Sequence, residues 1–506
     1  MSTLATAGRD RWWASERIGH WVPLAAIVAV AAALRLSTLG LQSYDFDEAF
    51  TVKAIDGSFA GMLHAVARNE STPPLYYTVA WLWARVFGTG EAGLRLLSAL
   101  AGIVTVPVVY AAGRLASDRR LGLVAALIAA TSPYLVFYSQ EARAYALFTL
   151  LTILSVVCCL RAIAAPSPRA IAWWSLSIAA AIATHYFAIF FWLGQLGTLV
   201  VFGAPRRLLA WSSVAVGVVC TPLLVLAAHQ ARAGHVDWIG ASSLPQRLRV
   251  MVETFALGAT FMGTLPRSVL AVCGVLAVVM AAAIVTSLGF LLRRSDARER
   301  RPAAIAGLVA VIAVILPLVA ALAGKDYVIN KNLIPVVPLL ALVFAAGLAC
   351  RKAGRTGMLA TAVLALAGLV LTIMSFVVAD MRRPDVRQVS NELGRARRGR
   401  VVIFIPRWQV LFEHYQPSAH SLPNGGARVG EIDVFTTSSS LPPGTVPKEF
   451  ALTRVRHGDT FNLFRFRSRT PVVVRPAHLA RRTFSESGLT PIAVVENGAQ
   501  PQVVNG

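Results

Sequence analysis

Three carboxylates crowd into the segment Tyr44–Thr51, directly after the first long apolar run of the chain. Asp45, Asp47 and Glu48 occupy three of four consecutive positions, although the 506 residues contain only 25 Asp and Glu. A carboxylate held against apolar walls can act as a general base, because burial raises its pKa towards working pH. Two neighbouring acids also suit a divalent cation. Charges at a bilayer boundary are costly unless they are solvated or functional, so the segment is either a candidate site or a solvated loop.

Two cations stand at the start of apolar runs further along the chain. They are Arg143, within Tyr138–Tyr145, and Lys331, within Tyr327–Pro335. Arg and Lys at a helix start near lipid headgroups are suited to binding a phosphate. Snorkelling of the side chain to the interface is the alternative interpretation. His185 stands between two apolar runs, where a hydrogen-bonded interfacial histidine is more common than an acid–base group.

Composition indicates which elements must position these side chains. Hydrophobic residues make up 56% of the chain and charged residues 14%, whereas soluble proteins average about 25% charged residues. The chain is therefore predicted to be a polytopic membrane protein. The net charge of +23 does not predict nucleic-acid binding, because much of it stands in short runs between apolar segments. The five cysteines lie in or beside apolar segments, and no disulfide framework or zinc pattern follows from them.

Eleven apolar runs are long enough to cross a bilayer. The first is interpreted as a retained span rather than a signal peptide, because no clean small-residue cleavage site follows it. Trp12 and Trp13 suit a short interfacial helix before it. The predicted spans are residues 20–39, 92–114, 121–137, 143–162, 170–184, 186–203, 208–228, 266–292, 303–323, 333–350 and 357–379.

Lys and Arg set the predicted orientation. With the N-terminus in the cytoplasm, every connecting segment on that side is basic, as the positive-inside rule requires. An odd number of spans then places the C-terminus outside the cell membrane. In this topology the acidic segment, Glu141, Arg143, His185 and Lys331 all fall on the outer side. We therefore expect them to face the same side of the membrane.

Two parts of the chain lie outside the predicted spans. The outer loop at residues 40–91 is too long for a simple connector. It contains two stretches of helical apolar spacing separated by a double proline, which predict two amphipathic juxtamembrane helices or a re-entrant pair. In the tail, Val386–Arg398 is helix-like, whereas Val401–Ile405 and Thr460–Phe466 are strand-like.

The domain organisation follows from these patterns. We expect a short cytoplasmic N-terminus at residues 1–19 and an all-α membrane domain at residues 20–380. A small α/β extracytoplasmic domain is expected at residues 381–506, with its last twenty or so residues poorly ordered.

A series of short segments, in this order, resembles the polyprenyl-phosphate-sugar-dependent glycosyltransferases of the GT-C fold. The resemblance is closest to the bacterial relatives of protein O-mannosyltransferases and of lipid A aminoarabinose transferases. It covers residues 20–350 and implies a GT-C membrane domain in a protein of the cell envelope. The segments are Tyr44–Ala49, Pro73–Tyr77, Phe87–Gly88, Leu94–Ser98, Ser132–Pro133, Tyr138–Leu147, Thr184–Tyr186 and Lys331–Pro335.

The resemblance implies sugar transfer from a polyprenyl monophosphate to a hydroxyl of a glycan, glycolipid or protein, outside the membrane. Asp47 matches the family's catalytic base, and Glu48 matches a residue that contacts sugar or acceptor. Arg143 resembles the arginine that holds the donor phosphate. Lys331 stands where relatives usually carry Arg, and it keeps the charge without the bidentate fork. Other candidate substrate-binding residues in the matching segments are Glu141, Tyr145 and His185.

A metal requirement stays open at this point. Many relatives carry His just before the double proline, where this chain has Thr72. That difference weakens the prediction of a divalent cation in the outer loop. Candidate ligands are Asp45, Asp47, Glu70 and His185.

Two other functions are considered. A transporter or flippase would need charges buried within spans or broken helices in paired halves, and the spans are largely free of acids. A non-catalytic envelope protein is the second alternative, against which the joint presence of Asp47, Glu48 and Arg143 argues. The sequence identifies neither the sugar nor the acceptor.

Overall fold

The structure is a computed structural model that describes residues 21–234, 236–258, 265–394, 399–405, 408–441, 444–479 and 492–496. Contacts within the chain divide it into two units. The first unit comprises Met1–Leu39 and Ala54–Phe376. The second comprises Gly40–Lys53 together with Val377–Gly506. The interfacial helix predicted at Trp12 and Trp13 lies outside the described residues.

Helices account for nearly all regular structure before residue 378. In chain order they are α1 (Trp21–Leu36), α2 (Phe46–Ile55), α3 (Phe59–Asn69), α4 (Leu75–Phe87), α5 (Glu91–Ala116), α6 (Arg119–Thr131), α7 (Pro133–Ser139), α8 (Tyr145–Ala164), α9 (Pro168–Thr184), α10 (Ala188–Val201), α11 (Arg206–Ala231), α12 (Leu244–Leu257), α13 (Arg267–Arg293), α14 (Ala297–Leu322), α15 (Val336–Leu348) and α16 (Gly354–Val377).

Every apolar run predicted to cross the membrane coincides with a helix, except the third, which forms α6 and α7 with a bend of 62° between them. Among the described residues, six helices are long and apolar enough to span, or seven if the bent pair counts as one. Helices α1, α10 and α15 are apolar but shorter. The prediction of a helical, multi-pass membrane protein is confirmed, and the number of eleven crossings stays a prediction.

The bend between α6 and α7 has a local cause. Pro133 is the first residue of α7, and its ring removes a backbone N–H and blocks continuation of the preceding helix. The carbonyls freed at the end of α6 accept hydrogen bonds from Arg35 of α1, which reaches Ala130 O at 3.0 Å and Ala129 O at 3.4 Å. Arg35 is 1% exposed and also donates to Ser139 Oγ at 3.2 Å. One buried guanidinium therefore provides hydrogen bonds to the backbone carbonyls of Ala129 and Ala130 at the break.

Helix α8 lies at the centre of the first unit. In its most apolar window, 67% of the residues are buried inside the protein, against 11% for α13. Small residues allow close helix contacts elsewhere: a Cβ on Gly113 of α5 would lie 2.8 Å from the Gly122 Cα of α6. The interior of the bundle is thus built around α8, while α13 offers its side chains to the surroundings.

The segment at residues 40–91, predicted to be an outer loop, contains the two helices predicted there, α3 and α4, and the additional helix α2. Ser58 caps α3 by accepting from the Gly61 backbone N–H at 3.1 Å. The double proline separates α3 from α4, since a proline cannot continue the preceding helix. Phe87 of α4 stacks on Trp83 at a centroid distance of 4.0 Å.

The second unit contains a mixed sheet of strands with three short helices. Besides α2, its elements are β1 (Arg400–Phe404), β2 (Ala419–Ser421), β3 (Ala427–Thr436), β4 (Ala451–His457), β5 (Asn462–Val474), β6 (Ile492–Glu496), α17 (Val386–Leu393), α18 (Gln409–Tyr415) and α19 (Pro476–Leu479). The strand order is β2-β6-β1-β3-β5-β4, in which β1 and β3 are parallel and the other neighbours are antiparallel.

The predicted α/β character of this region is confirmed. Strands β1 and β5 overlap the two predicted strand segments, and α17 begins at the predicted Val386. Strand β6 falls in the tail that was predicted to be poorly ordered, and it pairs with both β1 and β2. The other residues of that tail lie outside the described part of the chain, and its poor order stays a prediction.

The two faces of this sheet differ in chemistry. One face carries apolar residues such as Val401, Ile432 and Val434. On the other face Arg400, which is 1% exposed, pairs with Glu431 at 2.7 Å and Asp433 at 2.8 Å. Burial raises the pKa of Asp433 in spite of the neighbouring arginines. Burial also opposes ionisation of Glu431, but hydrogen bonds from Arg467 and Arg400 outweigh it and lower the pKa of Glu431.

Candidate active site

Arg143 and Glu70 form a buried ion pair in the first unit. The guanidinium donates from Nη1 to Glu70 Oε1 at 2.8 Å and from Nη2 to Glu70 Oε2 at 3.0 Å. The exposed fractions of the two side chains are 9% and 6%. Bidentate pairing of this kind is the strongest form of Arg–carboxylate hydrogen bonding. Arg143 is therefore held by a carboxylate and does not snorkel to the surface.

The turn between α7 and α8 positions Arg143. Its backbone N–H donates to Glu141 O at 2.8 Å, and its carbonyl accepts from Ser98 Oγ of α5 at 3.4 Å. Glu141 itself is 3% exposed, so its carboxylate is enclosed in the same region. Glu70 follows α3 directly, and its N–H donates to Val66 O at 3.3 Å. Both partners are thus fixed through their backbones.

Tyr77 of α4 borders the ion pair. Its ring centroid lies 5.9 Å from Arg143 Cζ, and its hydroxyl lies 3.2 Å from Thr72 Oγ1. Burial raises the pKa of Tyr77 well above its ordinary value, and the positive charge of Arg143 opposes that shift. The phenol therefore stays protonated beside the guanidinium.

Gln230, near the end of α11, connects α3, the segment after it and Tyr186 by hydrogen bonds. Its amide nitrogen donates to Val66 O at 2.9 Å and Thr72 O at 3.2 Å. Its amide oxygen accepts from the Tyr186 hydroxyl at 2.9 Å. Buried amides whose donors and acceptor are all used rigidify their surroundings, and here they fix the segment that carries Glu70.

His185 lies between α9 and α10 and is 4% exposed. Its ring stacks on Phe148 with centroids 4.6 Å apart, and Nδ1 accepts from the Phe187 N–H at 3.3 Å. Burial, followed by the charges of Arg143 and Lys331, lowers the pKa of His185 to about 3. The imidazole is therefore neutral at physiological pH and presents an N–H at Nε2.

Lys331 lies in a short turn, Asn330–Leu333, before α15. Its Nζ is 5.6 Å from the Tyr145 ring centroid and 5.9 Å from that of Trp238. These distances fit cation–π contacts, which favour an ammonium close to aromatic faces. The structure thus brings Tyr145 and Lys331 together.

Side chains of α12 form hydrogen bonds and an ion pair with the segment before Lys331. Arg247 forms an ion pair with Asp326 and donates to Val328 O at 2.6 Å. The hydrogen bond from Arg247 lowers the pKa of Asp326. Asn330 Nδ2 donates to Thr254 Oγ1 at 3.1 Å. The cation of Lys331 is therefore presented by an ordered turn.

In the second unit, the first turn of α2 carries Asp47 and Glu48. Glu48 is fully buried, and its Oε2 accepts from the Asp45 N–H at 2.8 Å and from Arg383 Nη1 at 3.3 Å. Asp47 and Asp45 are half-buried. Carboxylates in the first turn of a helix are stabilised by the helix dipole. Asp47 therefore combines a fixed backbone with a carboxylate that is not fully enclosed.

The candidate metal ligands do not form a metal site in the described part of the chain. No group of three or more His, Cys, Asp or Glu side chains there could hold a metal ion. Both oxygens of Glu70 accept from Arg143, and His185 is stacked and accepts a hydrogen bond through Nδ1. These residues do not fit a divalent cation.

Most of the buried side chains around Arg143 lie in a segment that matches a known family. Residues 71–230 match the model of the dolichyl-phosphate-mannose-protein mannosyltransferase family. The match includes Glu141, Arg143 and His185, and ends before Lys331. The mannosyltransferase-like resemblance predicted from the motifs is confirmed for this segment. No curated protein sequence matches the chain significantly.

Several solved structures are similar to the chain. ArnT from Cupriavidus metallidurans in the apo state is 18% identical, with a TM-score of 0.47, covering 73% of this chain and 68% of that chain. The Archaeoglobus fulgidus oligosaccharyltransferase is 15% identical, with a TM-score of 0.45. Arabinosyltransferase EmbB from Mycobacterium smegmatis is 11% identical, with a TM-score of 0.44, covering 84% and 47%.

The chain is shorter than some of these proteins. It covers 57% of the length of the archaeal oligosaccharyltransferase, which in turn matches 73% of this chain.

Two ion-pair partners of the predicted site residues, Glu70 and Arg383, were not foreseen from the sequence. Glu70 was a candidate metal ligand, and its pairing with Arg143, 73 positions away, was not foreseen. Arg383 lies 335 positions from Glu48, and nothing in the local pattern marks it. The one available signal was the abundance of Arg directly after the last apolar helix.

Proposed function

We propose that this protein is an integral membrane glycosyltransferase. It moves a sugar from a polyprenyl monophosphate to a hydroxyl of a glycan, glycolipid or protein on the outer side of the cell membrane. The observation that carries the proposal is the buried Arg143–Glu70 pair, with His185 and Lys331 near it, in and beside the segment that matches the mannosyltransferase family. The proposal agrees with what two of the similar structures contain: ArnT has been solved bound to undecaprenyl phosphate, and the archaeal oligosaccharyltransferase in complex with a dolichol-phosphate.

In the proposed reaction, Asp47 removes the proton from the acceptor hydroxyl. The oxygen attacks the anomeric carbon, and the bond from that carbon to the phosphate oxygen breaks. Single displacement inverts the anomeric configuration, because attack and departure occur on opposite faces. General-base assistance of this kind contributes about 10²- to 10⁴-fold in rate.

The departing lipid phosphate requires positive charge and hydrogen-bond donors. Arg143 and Lys331 supply the charge, and preorganised cations of this kind stabilise the transition state more than the ground state. Neutral His185 offers the N–H at Nε2, with Nδ1 already engaged. Tyr145 lies beneath Lys331 and holds its ammonium by a cation–π contact. Glu141 is buried in the same region and offsets the positive charge.

The orientation in this proposal keeps the N-terminus cytoplasmic and the domain at residues 381–506 extracytoplasmic. It rests on the basic residues of the predicted inner loops. No step of the proposed reaction uses a metal, because Glu70 and His185 are engaged otherwise and the described residues contain no group of three or more candidate ligands that could hold one. The archaeal oligosaccharyltransferase has been crystallised with Zn and sulfate.

Two structural features resemble those of transporters, but both have another explanation. Transporters use broken helices and buried charges, and this chain has the bent α6–α7 pair and the buried Arg35. Arg35 donates to the carbonyls that the bend frees, which accounts for both features structurally. No second function is therefore proposed.

The test is turnover by the purified protein. The full chain is incubated with a panel of polyprenyl-phosphate sugars and a membrane extract as acceptor source, and release of the lipid phosphate is followed. We expect acceptor-dependent release with at least one donor, and an inverted anomeric centre by NMR of the product. Absence of release with every donor would overturn the proposal, and retained configuration would overturn the single-displacement step.

A further inference from the structure

The acidic segment is built into the second unit through its backbone. The Tyr44 N–H donates to the Tyr415 hydroxyl of α18 at 2.8 Å. Ser43 Oγ accepts from the Val386 N–H at 3.1 Å, and Gln42 Oε1 accepts from the Arg383 N–H at 3.1 Å. Ser43 and Tyr44 are each 1% exposed. The residues leading into α2 are therefore fixed by the chain around residues 383–386 and by α18.

Arg383 also fixes α2 through a side chain. Its Nη1 donates to Glu48 Oε2 at 3.3 Å, and the same oxygen accepts from the Asp45 N–H at 2.8 Å. Glu48 is fully buried, so its carboxylate is screened little by water. A buried charge of this kind is tolerated where it is paired and hydrogen-bonded. Glu48 thus links Arg383 to the first turn of α2, in which Asp47 is the preceding residue.

We propose that Arg383 is a positioning residue for the Asp47 carboxylate, and that it acts through Glu48. The catalytic base Asp47 is then held in place within the second unit by contacts of Arg383, Ser43 and Tyr415. The term catalytic rests on the function proposed above. Glu48 has the role of holding α2 in place, which differs from the contact with sugar or acceptor that the resemblance implies.

The physical reason is geometric. A general base acts only when its carboxylate lies within hydrogen-bond reach of the proton that it removes. A misplacement of about 1 Å can cost about a hundredfold in rate. Glu48 Oε2 joins the first turn of α2 to the Asp45 backbone and to Arg383, so rotation of that turn would break both hydrogen bonds. Without Arg383, Glu48 becomes a buried charge that lacks this cation, and the turn must rearrange to solvate it.

The kinetic test compares Arg383→Ala with the wild-type full chain. We expect kcat to fall about a hundredfold, while the KM for the lipid donor and the affinity for undecaprenyl phosphate stay unchanged. Arg383→Lys should restore part of kcat, since it keeps the charge. Arg456→Ala is the matched control, because Arg456 pairs with Glu392 at 3.1 Å on the surface of the same unit.

A double-mutant cycle tests whether Glu48 transmits the effect. If Arg383 acts through Glu48, adding Arg383→Ala to Glu48→Gln should lower kcat no further, whereas independent effects would add. Additive losses, or a loss of donor binding equal to the loss of kcat, would overturn the proposal.

Amide hydrogen exchange provides a readout that does not depend on turnover. Arg383→Ala and Tyr415→Phe should each accelerate exchange in residues 44–51 and leave α3 and α4 unchanged. Tyr415→Phe serves if Arg383→Ala fails to fold, because it removes a single hydroxyl acceptor. Unchanged exchange in residues 44–51 in the folded variants would overturn the positioning role. If exchange in residues 44–51 is faster in the variants than in the wild type, but the wild type shows no turnover with any donor, the proposed function fails and the structural role of Arg383 stands.

Discussion

Replacing Glu70 by Gln tests what the buried pair with Arg143 does. The substitution keeps the shape of the side chain, so Arg143 loses the negative charge and one of the two acceptor oxygens that lie at 2.8 and 3.0 Å. If Glu70 balances Arg143 until a phosphate arrives, the variant should be less stable without ligand and should bind a phosphate more tightly. The lipid phosphate would then take over the charge that Glu70 had balanced.

The magnitudes follow from the burial of the pair. Two unit charges about 4 Å apart interact by about 4 kcal/mol at an effective dielectric constant of about 20. Removing one partner of a buried pair costs about 3–5 kcal/mol, and the exposed fractions of 9% and 6% place this pair in that class. A third of that free energy, recovered on phosphate binding, would tighten the affinity by about tenfold, or about 1.4 kcal/mol.

The assay is thermal unfolding of the purified protein, with and without undecaprenyl phosphate, together with direct titration of that lipid. Glu253→Gln is the matched control, since its pair with Arg249 is exposed and spaced i,i+4 at 2.7 Å. Such exposed helix pairs contribute little to stability, because water and salt screen them. Weaker binding of undecaprenyl phosphate by Glu70→Gln would refute the reasoning, because Glu70 would then orient Arg143 for the phosphate. Unchanged stability would show that the pair contributes little.

Three further predictions concern other residues of the candidate site. Asp47→Asn should lower the rate of lipid phosphate release by about 10²- to 10⁴-fold and leave undecaprenyl phosphate binding intact; full activity would exclude the base assignment. Lys331→Met should weaken binding of that lipid by about tenfold, or about 1.4 kcal/mol, whereas Lys331→Arg should not; equal affinity in all three proteins would assign Lys331 to snorkelling. His185 has a folded pKa of about 3 against an ordinary 6.5, so the unfolded chain binds a proton that the folded protein does not, and stability falls as pH drops from 6.5 towards 3. His185→Gln should flatten that part of a stability–pH profile measured by thermal unfolding, and an unchanged profile would contradict the buried neutral imidazole.

The membrane helices were predictable because hydropathy is a local property of the chain. Apolar runs of bilayer length became helices, except that the third run was predicted as one span and is broken at Ser132–Pro133 into α6 and α7. Strand β6 was not predictable in the same way. Its five residues are short and isolated in sequence, and pairing with β1 and β2 makes them a strand.

The candidate site was predictable only in its residue types. Arg143, Lys331 and Asp47 could be selected because charges are rare near apolar segments and their motifs match a family. Their partners could not be selected, because Glu70 and Arg383 reach Arg143 and Glu48 across 73 and 335 positions. Pairings of that length are set by packing of the whole chain, which no local pattern records.

The hydrogen bonds of Arg35 have a consequence for biosynthesis. The carbonyl of Ala130 follows Arg35 by 95 positions, so α1 reaches the membrane before that acceptor has been synthesised. An arginine at the centre of a lone membrane helix disfavours insertion by about 2.5–3.5 kcal/mol, and the cost is smaller for Arg35, the penultimate residue of α1. At about 5–20 residues per second, the ribosome needs some seconds to deliver α6. The first helix is therefore expected to remain beside the insertion machinery until the sixth arrives, and Arg35→Leu should release it into lipid earlier.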